Sequence, residues 1–148
     1  MANDNSRHVR DVMTLNPDCV SDNDSIREVA RIMKSSDTGV VPVVDGKKII
    51  GLITDRDIVV RGLAEGKDLG TAKVNEIMTK SVRSVREDAT IGEALQLMSS
   101  ADIRRVPVVN GNNELVGIVS IGDISTNTNS DGKVGKAIES ISEAPPNN

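Results

Sequence analysis

Two short segments carry the side chains best suited to holding a small molecule. Residues 51–58 read Gly-Leu-Ile-Thr-Asp-Arg-Asp-Ile, and residues 117–124 read Gly-Ile-Val-Ser-Ile-Gly-Asp-Ile. Each segment has a hydroxyl residue followed three positions later by an aspartate, which gives the pairs Thr54 and Asp57, and Ser120 and Asp123. An aspartate can accept hydrogen bonds from the two hydroxyls of a ribose, and the N–H groups at a helix start favour a phosphate. The pattern is therefore compatible with nucleotide binding.

The same spacing is also that of a capping box, in which the hydroxyl and the acid satisfy free N–H groups at a helix start. Ser25 with Glu28, and Thr90 with Glu93, repeat the spacing without any sign of a ligand role. Spacing alone favours this structural interpretation. The binding interpretation stays open because the two segments at 51–58 and 117–124 both use the shorter aspartate.

Composition narrows the classes of function. The chain of 148 residues has 27% charged and 37% hydrophobic residues, as in a folded globular protein, but it has no Phe, Tyr or Trp. Proteins that bind single-stranded nucleic acid usually stack bases on aromatic rings, and binding to a phosphate backbone usually needs net positive charge. The net charge here is -4. We therefore expect no nucleic-acid partner.

Neither membrane insertion nor metal chemistry is expected. No apolar run approaches the roughly 18 residues that span a bilayer, and residues 1–10 are too polar for a signal peptide, which predicts a cytoplasmic protein. The single cysteine, Cys19, has no internal disulfide partner, and with the single histidine, His8, it cannot complete a zinc site. We expect both to be structural or incidental, with no metal site and no catalytic residue.

The chain contains an internal repeat. With an offset of 65, residues 11–46 align with residues 76–111, and 13 of these 36 positions are identical. Chance matching would give about two or three identities. The identities include Met-Thr near the start and Val-Pro-Val-Val near the end, and one extra residue then shifts the offset to 66 for the Thr54 and Ser120 segments. The chain is therefore predicted to hold two repeats, at residues 9–65 and 74–126, before a polar tail at 127–148 with a short terminal helix at 134–141.

Each repeat is predicted as β-α-β-β-α after a short helical turn, which makes the fold class α/β (α+β). Asp45-Gly46 between two β-branched runs predicts a hairpin of strands 40–44 and 48–53, and Pro42 is expected near a sheet edge or strand end because it lacks an N–H. Helical periodicity predicts one buried face on each long helix. These faces comprise Ile26, Val29, Ala30 and Met33 in the first repeat, and Ile91, Ala94, Leu95 and Met98 in the second.

In the order of these features the chain resembles a tandem CBS domain pair, or Bateman module. The resemblance rests on the opening Val-Met-Thr and Ile-Met-Thr, the amphipathic helix, Val-Pro-Val-Val, and the Gly-aliphatic-aliphatic-hydroxyl-x-x-Asp ending. All four occur twice in the same order and cover residues 9–125. Small stand-alone bacterial CBS-pair proteins are the most similar members. The resemblance implies two CBS repeats packed with pseudo-two-fold symmetry.

The resemblance also implies two ligand clefts between the repeats, each combining the hydroxyl and aspartate of one repeat with the opening strand and pre-proline segment of the other. Carried onto this sequence, one cleft comprises Thr54, Asp57, Val82, Arg83, Arg104, Arg105 and Pro107. The other comprises Ser120, Asp123, Asp18, Cys19, Gly39, Val40 and Pro42. The arginine pair can bind a phosphate, whereas Gly39-Val40 has no side-chain donor, so the first cleft is expected to favour a phosphorylated nucleotide. The second is expected to take a less charged ligand or to stay vacant.

These expectations favour a non-catalytic sensor for an adenine nucleotide of the AMP, ADP or ATP class, with S-adenosylmethionine as a weaker candidate. The family implies a homodimer and a partner protein that reads the ligand-dependent change. An enzyme is disfavoured because the sequence has no nucleophile-base constellation, no metal-ligand spacing and no Walker-type loop. A structural dimerisation module with vacant clefts remains the alternative.

Overall fold

The structure, a computed structural model, describes residues 7–127. Within this range the chain forms two compact units whose boundaries differ from those of the sequence repeats. We call Asp18–Val82 the contiguous unit, and residues 7–17 together with 83–127 the split unit. The opening segment of each repeat therefore belongs to the unit that holds the body of the other repeat. Of the polar tail predicted at 127–148, only Asn127 is described, as the last residue of a helix, and the predicted terminal helix lies outside the described residues.

The elements follow the predicted order in both repeats. In chain order they are a 3-10 helix (Val9–Asp11), β1 (Thr14–Leu15), β2 (Val20–Ser21), α1 (Ile26–Ser36), β3 (Val40–Asp45), β4 (Lys48–Thr54), α2 (Asp55–Asp57), a π-helix (Ile58–Leu63), a second 3-10 helix (Val74–Glu76), β5 (Val85–Arg86), α3 (Ile91–Ala101), β6 (Arg105–Val109), β7 (Leu115–Ser120) and α4 (Ile121–Asn127). The predicted β-α-β-β-α pattern is confirmed as β2-α1-β3-β4-α2 and β5-α3-β6-β7-α4. The fold class is mixed α and β.

The contiguous unit contains a three-stranded sheet in the order β2-β3-β4. Strand β3 pairs in parallel with β2 and antiparallel with β4. Helix α1 provides the crossover that a parallel pair requires. The second 3-10 helix packs into the same core, where Val74 and Ile77 are fully buried with Val29, Val43 and Ile53. The opening segment of the second repeat therefore completes the core of the contiguous unit.

Helix α1 begins as predicted, but its buried face is turned relative to the predicted one. The Ser25 side chain accepts a hydrogen bond from the Glu28 N–H at 3.1 Å, which caps the helix. Ile26 and Val29 are buried and Met33 is half-buried, but Ala30 is exposed, so its assignment to the buried face was wrong. Ile32 and Met33 pack against the core instead, so the buried face of the helix is turned away from Ala30.

The hairpin of β3 and β4 turns at Gly46, whose φ of 64° suits glycine. Pro42, however, lies inside β3, the central strand, so the expectation of an edge or strand end was wrong. Its partner Leu52 uses both backbone groups to bond Thr79 instead, at 2.9 and 2.8 Å. Pro42 therefore occupies a non-hydrogen-bonded position of the β3-β4 ladder, where its missing N–H removes no bond to β4. Its nitrogen faces the β2 side, where β2 aligns only with Val43 and Val44.

The split unit contains a four-stranded sheet in the order β1-β7-β6-β5. Its short edge strand β1 comes from the start of the chain and pairs antiparallel with β7, aligning Thr14 with Ile118. The predicted buried face of α3 is confirmed, because Ile91, Ala94, Leu95 and Met98 are all buried. Val9 of the first 3-10 helix lies in the same core. The opening segment of the first repeat therefore completes the split unit.

Candidate functional site

The first hydroxyl-aspartate pair lies where β4 passes into α2 in the contiguous unit. The Thr54 hydroxyl accepts a hydrogen bond from the Asp57 N–H at 3.0 Å, and Oδ2 of Asp57 accepts one from the Thr54 N–H at 3.0 Å. Both arms of a capping box are therefore present. Both residues remain half-buried rather than enclosed. Asp57 thus has a structural role but is still open to a ligand.

Asp57 has a second partner that local spacing did not predict. The Thr79 hydroxyl lies 3.2 Å from Oδ1 and 3.2 Å from Oδ2 of Asp57. Nη1 of Arg61 donates to the Met78 carbonyl at 3.0 Å and to the Thr79 hydroxyl at 3.4 Å. Thr54 and Thr79 therefore bond one carboxylate from two separate parts of the unit, and Arg61 contacts Thr79 from a third. The repeated Met-Thr dipeptide at the start of both repeats was the sequence signal that could have identified Thr79.

The pre-proline segment of the same repeat lies beside this capping box. Val40 is the ladder partner of Thr54, and the Gly39 carbonyl accepts a hydrogen bond from the Asp55 N–H at 3.0 Å. Pro42, two residues further along β3, is buried. On the β3 side, the capping box therefore adjoins a segment that has no charged side chain. Val82 is the last residue of this unit and is half-buried.

Asp18 and Cys19 stand just before β2. The Asp18 carboxylate accepts a hydrogen bond from the Ser36 hydroxyl at 2.7 Å, which ties it to the end of α1. Cys19 is exposed, yet partial desolvation of its sulfur and the carboxylates of Asp18 and Asp24 raise the pKa of its thiol above the ordinary value. The fraction present as nucleophilic thiolate at neutral pH is therefore lower than for a free cysteine.

The second hydroxyl-aspartate pair repeats the geometry in the split unit. The Ser120 hydroxyl accepts from the Asp123 N–H at 3.0 Å, and Oδ2 of Asp123 accepts from the Ser120 N–H at 3.0 Å. In this unit the pre-proline segment is positively charged, because it contains Arg104 and Arg105. Arg105 is the ladder partner of Ser120, and the Arg104 carbonyl accepts a hydrogen bond from the Ile121 N–H at 3.0 Å. Both arginines are exposed, so this unit carries two cations next to its capping box.

Each unit thus brings the hydroxyl-aspartate pair together with the pre-proline segment of its own repeat. Arg104 and Arg105 lie beside Ser120, and Gly39 and Val40 lie beside Thr54. Pro107 is buried in β6 opposite Ile118, and Arg83 is exposed at the start of the second segment of the split unit. The grouping implied by the resemblance joins residues of different units and stays a prediction.

The segments at 51–58 and 117–124 both begin with a glycine because another segment approaches closely there. A Cβ added to Gly51 would lie 2.8 Å from the Thr79 carbonyl oxygen, and one added to Gly117 would lie 2.9 Å from the Thr14 carbonyl oxygen. The Met-Thr segment that starts one repeat therefore approaches the glycine near the end of the other. In each unit the glycine makes room for this segment, and in the contiguous unit that segment carries Thr79 to Asp57.

Residues 7–127 contain neither a membrane-spanning helix nor a cluster of metal ligands. No helix in this range is both long and apolar enough to cross a bilayer. No group of three or more His, Cys, Asp or Glu side chains in the same range could hold a metal ion.

A protein-family model for the CBS domain matches the chain twice, at residues 9–63 and 74–127. The chain belongs to the CBS domain family. It is 39% identical over 137 residues to the uncharacterized protein YlbB of Bacillus subtilis (strain 168), and the match covers 91% of each protein.

Solved CBS structures share the fold. The hypoxic response protein HRPI with two coordinated zinc ions is 36% identical with a TM-score of 0.76, covering 82% of this chain and 99% of that one. CBSX2 in complex with AMP is 26% identical with a TM-score of 0.71, covering 81% and 94%. The CBS pair of protein MJ0100, in complex with 5′-methylthioadenosine and S-adenosyl-L-methionine, is 35% identical with a TM-score of 0.70, covering 80% and 93%.

Proposed function

We propose that this CBS-pair protein is a non-catalytic sensor that binds an adenine nucleotide through its hydroxyl-aspartate pairs. The observation that carries the proposal is a half-buried carboxylate, held by a fixed hydrogen-bond network, at the same place in each repeat. A carboxylate has about four acceptor positions, and at Asp57 the capping box and the Thr79 hydroxyl use only part of them. Asp57 therefore keeps acceptor capacity for a ribose, and Asp123 is held by the same capping geometry.

The ligands of two relatives support this class of molecule. AMP is bound by CBSX2, and 5′-methylthioadenosine and S-adenosyl-L-methionine are bound by MJ0100. All three ligands contain adenosine, so a ribose and an adenine are what they share. Without an aromatic ring in the sequence, the adenine would pack between aliphatic side chains and take its specificity from backbone groups.

Charge favours a phosphorylated ligand over S-adenosylmethionine. Arg104 and Arg105 are exposed beside the Ser120 and Asp123 pair, and a guanidinium forms charge-assisted hydrogen bonds to phosphate. The sulfonium of S-adenosylmethionine is a cation and would be repelled there. We therefore infer AMP, ADP or ATP as the ligand class.

A sensor also needs two states with unequal affinity for the ligand. We propose that the protein is a homodimer whose arrangement changes on binding, and that a partner protein recognises the change. The surface offered for dimerisation is an exposed apolar face of the π-helix, formed by Val59, Val60 and Leu63.

The first test needs only the purified protein. Because the chain has no Trp or Tyr, an adenine absorption band in its ultraviolet spectrum would reveal a carried nucleotide. Thermal unfolding followed by circular dichroism should then show stabilisation by AMP, ADP or ATP, since a ligand that binds only the native state raises its stability. A nucleotide-free protein that no member of the panel stabilises would contradict the proposal.

Site variants test the assignment of the carboxylates. Asp57→Ala and Asp123→Ala should each weaken nucleotide binding in titration calorimetry by about tenfold or more, because each removes a charged acceptor. Glu28→Ala is the matched control, since Glu28 has the same position relative to the cap of α1. Equal affinities for all four proteins would return both aspartates to a purely structural role.

The alternative function is a structural dimerisation module with vacant clefts. The complete capping boxes favour it, because they give Asp57 and Asp123 a structural role that needs no ligand. The exposed apolar face of the π-helix also favours it, because such a face can bind a second subunit. A dimer that binds no nucleotide would support this alternative.

A further inference from the structure

The Thr79 hydroxyl bridges both carboxylate oxygens of Asp57, although the two residues are 22 positions apart. We propose that Thr79 is a positioning residue that sets the orientation of the Asp57 carboxylate for a ribose. The inference rests on the proposed function, because it assigns a role at the same binding carboxylate. Thr79 would act through Asp57 rather than by contacting the ligand.

The capping box alone leaves the carboxylate incompletely fixed. Its only hydrogen bond to the Asp57 side chain goes from the Thr54 N–H to Oδ2, at 3.0 Å. One anchored oxygen still allows the carboxylate plane to turn about the bond to Cβ, because this torsion is broad. A second contact, 3.2 Å from each oxygen, opposes that rotation. Oδ1 then presents its remaining lone pairs in one direction.

Arg61 determines which way the Thr79 hydroxyl points. A hydroxyl is both a donor and an acceptor and rotates to suit its partners. Nη1 of Arg61 can only donate, and it lies 3.4 Å from the Thr79 oxygen while also bonding the Met78 carbonyl at 3.0 Å. The hydroxyl therefore accepts from Arg61 and gives its own hydrogen to Asp57.

The other repeat offers a matched position with a different environment. Thr14 begins the corresponding Met-Thr segment and aligns by its backbone with Ile118, but its side chain is exposed. Thr79 is half-buried and its hydroxyl contacts the carboxylate. Substituting Thr14 therefore reproduces the chemical change of a Thr79 variant without touching Asp57.

The experiment measures how strongly nucleotide affinity at the Asp57 site depends on the 2′-hydroxyl of the ribose. All variants carry Asp123→Ala so that calorimetry reports the Asp57 site, and the probes are AMP and 2′-deoxy-AMP. Thr79→Val, nearly equal in volume, should weaken AMP binding by about tenfold, as expected for loss of an orienting hydrogen bond to a charged group. It should also reduce the preference for AMP over the deoxy analogue. Thr79→Ser should restore both values, and Thr14→Val should leave them unchanged.

The outcomes separate this inference from the proposed function. If Thr79→Val folds, binds AMP and keeps the full preference for AMP over 2′-deoxy-AMP, Thr79 does not position Asp57. The same conclusion follows if Thr79→Ser fails to restore binding or if Asp123→Ala alone abolishes AMP binding while the wild type binds it. If the wild-type protein itself binds no adenosine ligand, the proposed function fails, and the inference fails with it.

Discussion

Replacing Gly51 with alanine should destabilise the contiguous unit, because the added methyl group meets backbone rather than a movable side chain. Its Cβ would lie 2.8 Å from the Thr79 carbonyl oxygen and 3.2 Å from Cε of Met78. The methionine end can rotate away, since its thioether is flexible. The Thr79 carbonyl cannot, because it accepts a hydrogen bond from the Leu52 N–H at 2.9 Å, and the Thr79 N–H donates to the Leu52 carbonyl at 2.8 Å.

The magnitude follows from these contacts. Forcing a methyl group into a packed site costs about 1–3 kcal/mol, and weakening two backbone hydrogen bonds adds up to about 1 kcal/mol each. Alanine also lowers the conformational entropy of the unfolded chain, which offsets about 0.4–1 kcal/mol of this destabilisation. We therefore expect Gly51→Ala to lower the free energy of unfolding by about 2–3 kcal/mol.

Urea unfolding followed by far-ultraviolet circular dichroism measures this change in a chain without tryptophan. The matched control is Gly122→Ala in α4, where the new Cβ would lie 3.6 Å from the Ser120 hydroxyl, an ordinary contact. There alanine should leave stability unchanged or raise it by up to about 1 kcal/mol, because it suits a helix better than glycine. A Gly51→Ala protein within about 0.5 kcal/mol of the wild type would refute the argument from close approach.

Two further predictions concern reactivity and assembly. Iodoacetamide should alkylate Cys19 more slowly in the folded protein than in urea at the same mildly alkaline pH, because the raised pKa lowers the thiolate fraction, and Asp18→Asn should increase the folded rate. Equal folded and unfolded rates would contradict this. Leu63→Glu should convert a dimer to a monomer in light scattering, whereas Leu15→Glu, at a leucine of similar exposure in the split unit, should not. A dimer that survives Leu63→Glu would place the interface elsewhere.

Local patterns in the sequence predicted the elements well because their causes are local. The turn at Gly46 and the caps at Ser25 and Thr90 depend on residues within a few positions of one another. The buried face of α3 followed from helical spacing, since large apolar residues occupy it. The outcome for Ala30 shows the limit of such patterns. Periodicity indicates that one face of a helix is buried, but the exact direction of that face depends on how the helix packs against the rest of its unit.

The site was less predictable because its contacts are distant in sequence. The spacing of Thr54 and Asp57 predicted the capping box, but Thr79 reaches Asp57 only because its segment pairs with Leu52. Pro42 also depends on distant pairing, because its place in a central strand is tolerated where β2 aligns only with Val43 and Val44. No local pattern in the sequence indicates that the segment at Thr79 pairs with the free side of β4.

The exchange of opening segments has a consequence for how this chain can be divided. A fragment cut at the sequence repeat, residues 9–63, would lack the 3-10 helix Val74–Glu76 and the backbone partner of Leu52. Asp18–Val82 carries all of these in one uninterrupted stretch. The sequence repeat, residues 9–63, is therefore offset along the chain from the compact unit, Asp18–Val82. A circular permutant that begins at Arg83, with residue 127 joined to residue 7, would make the split unit as well as the contiguous unit continuous in sequence.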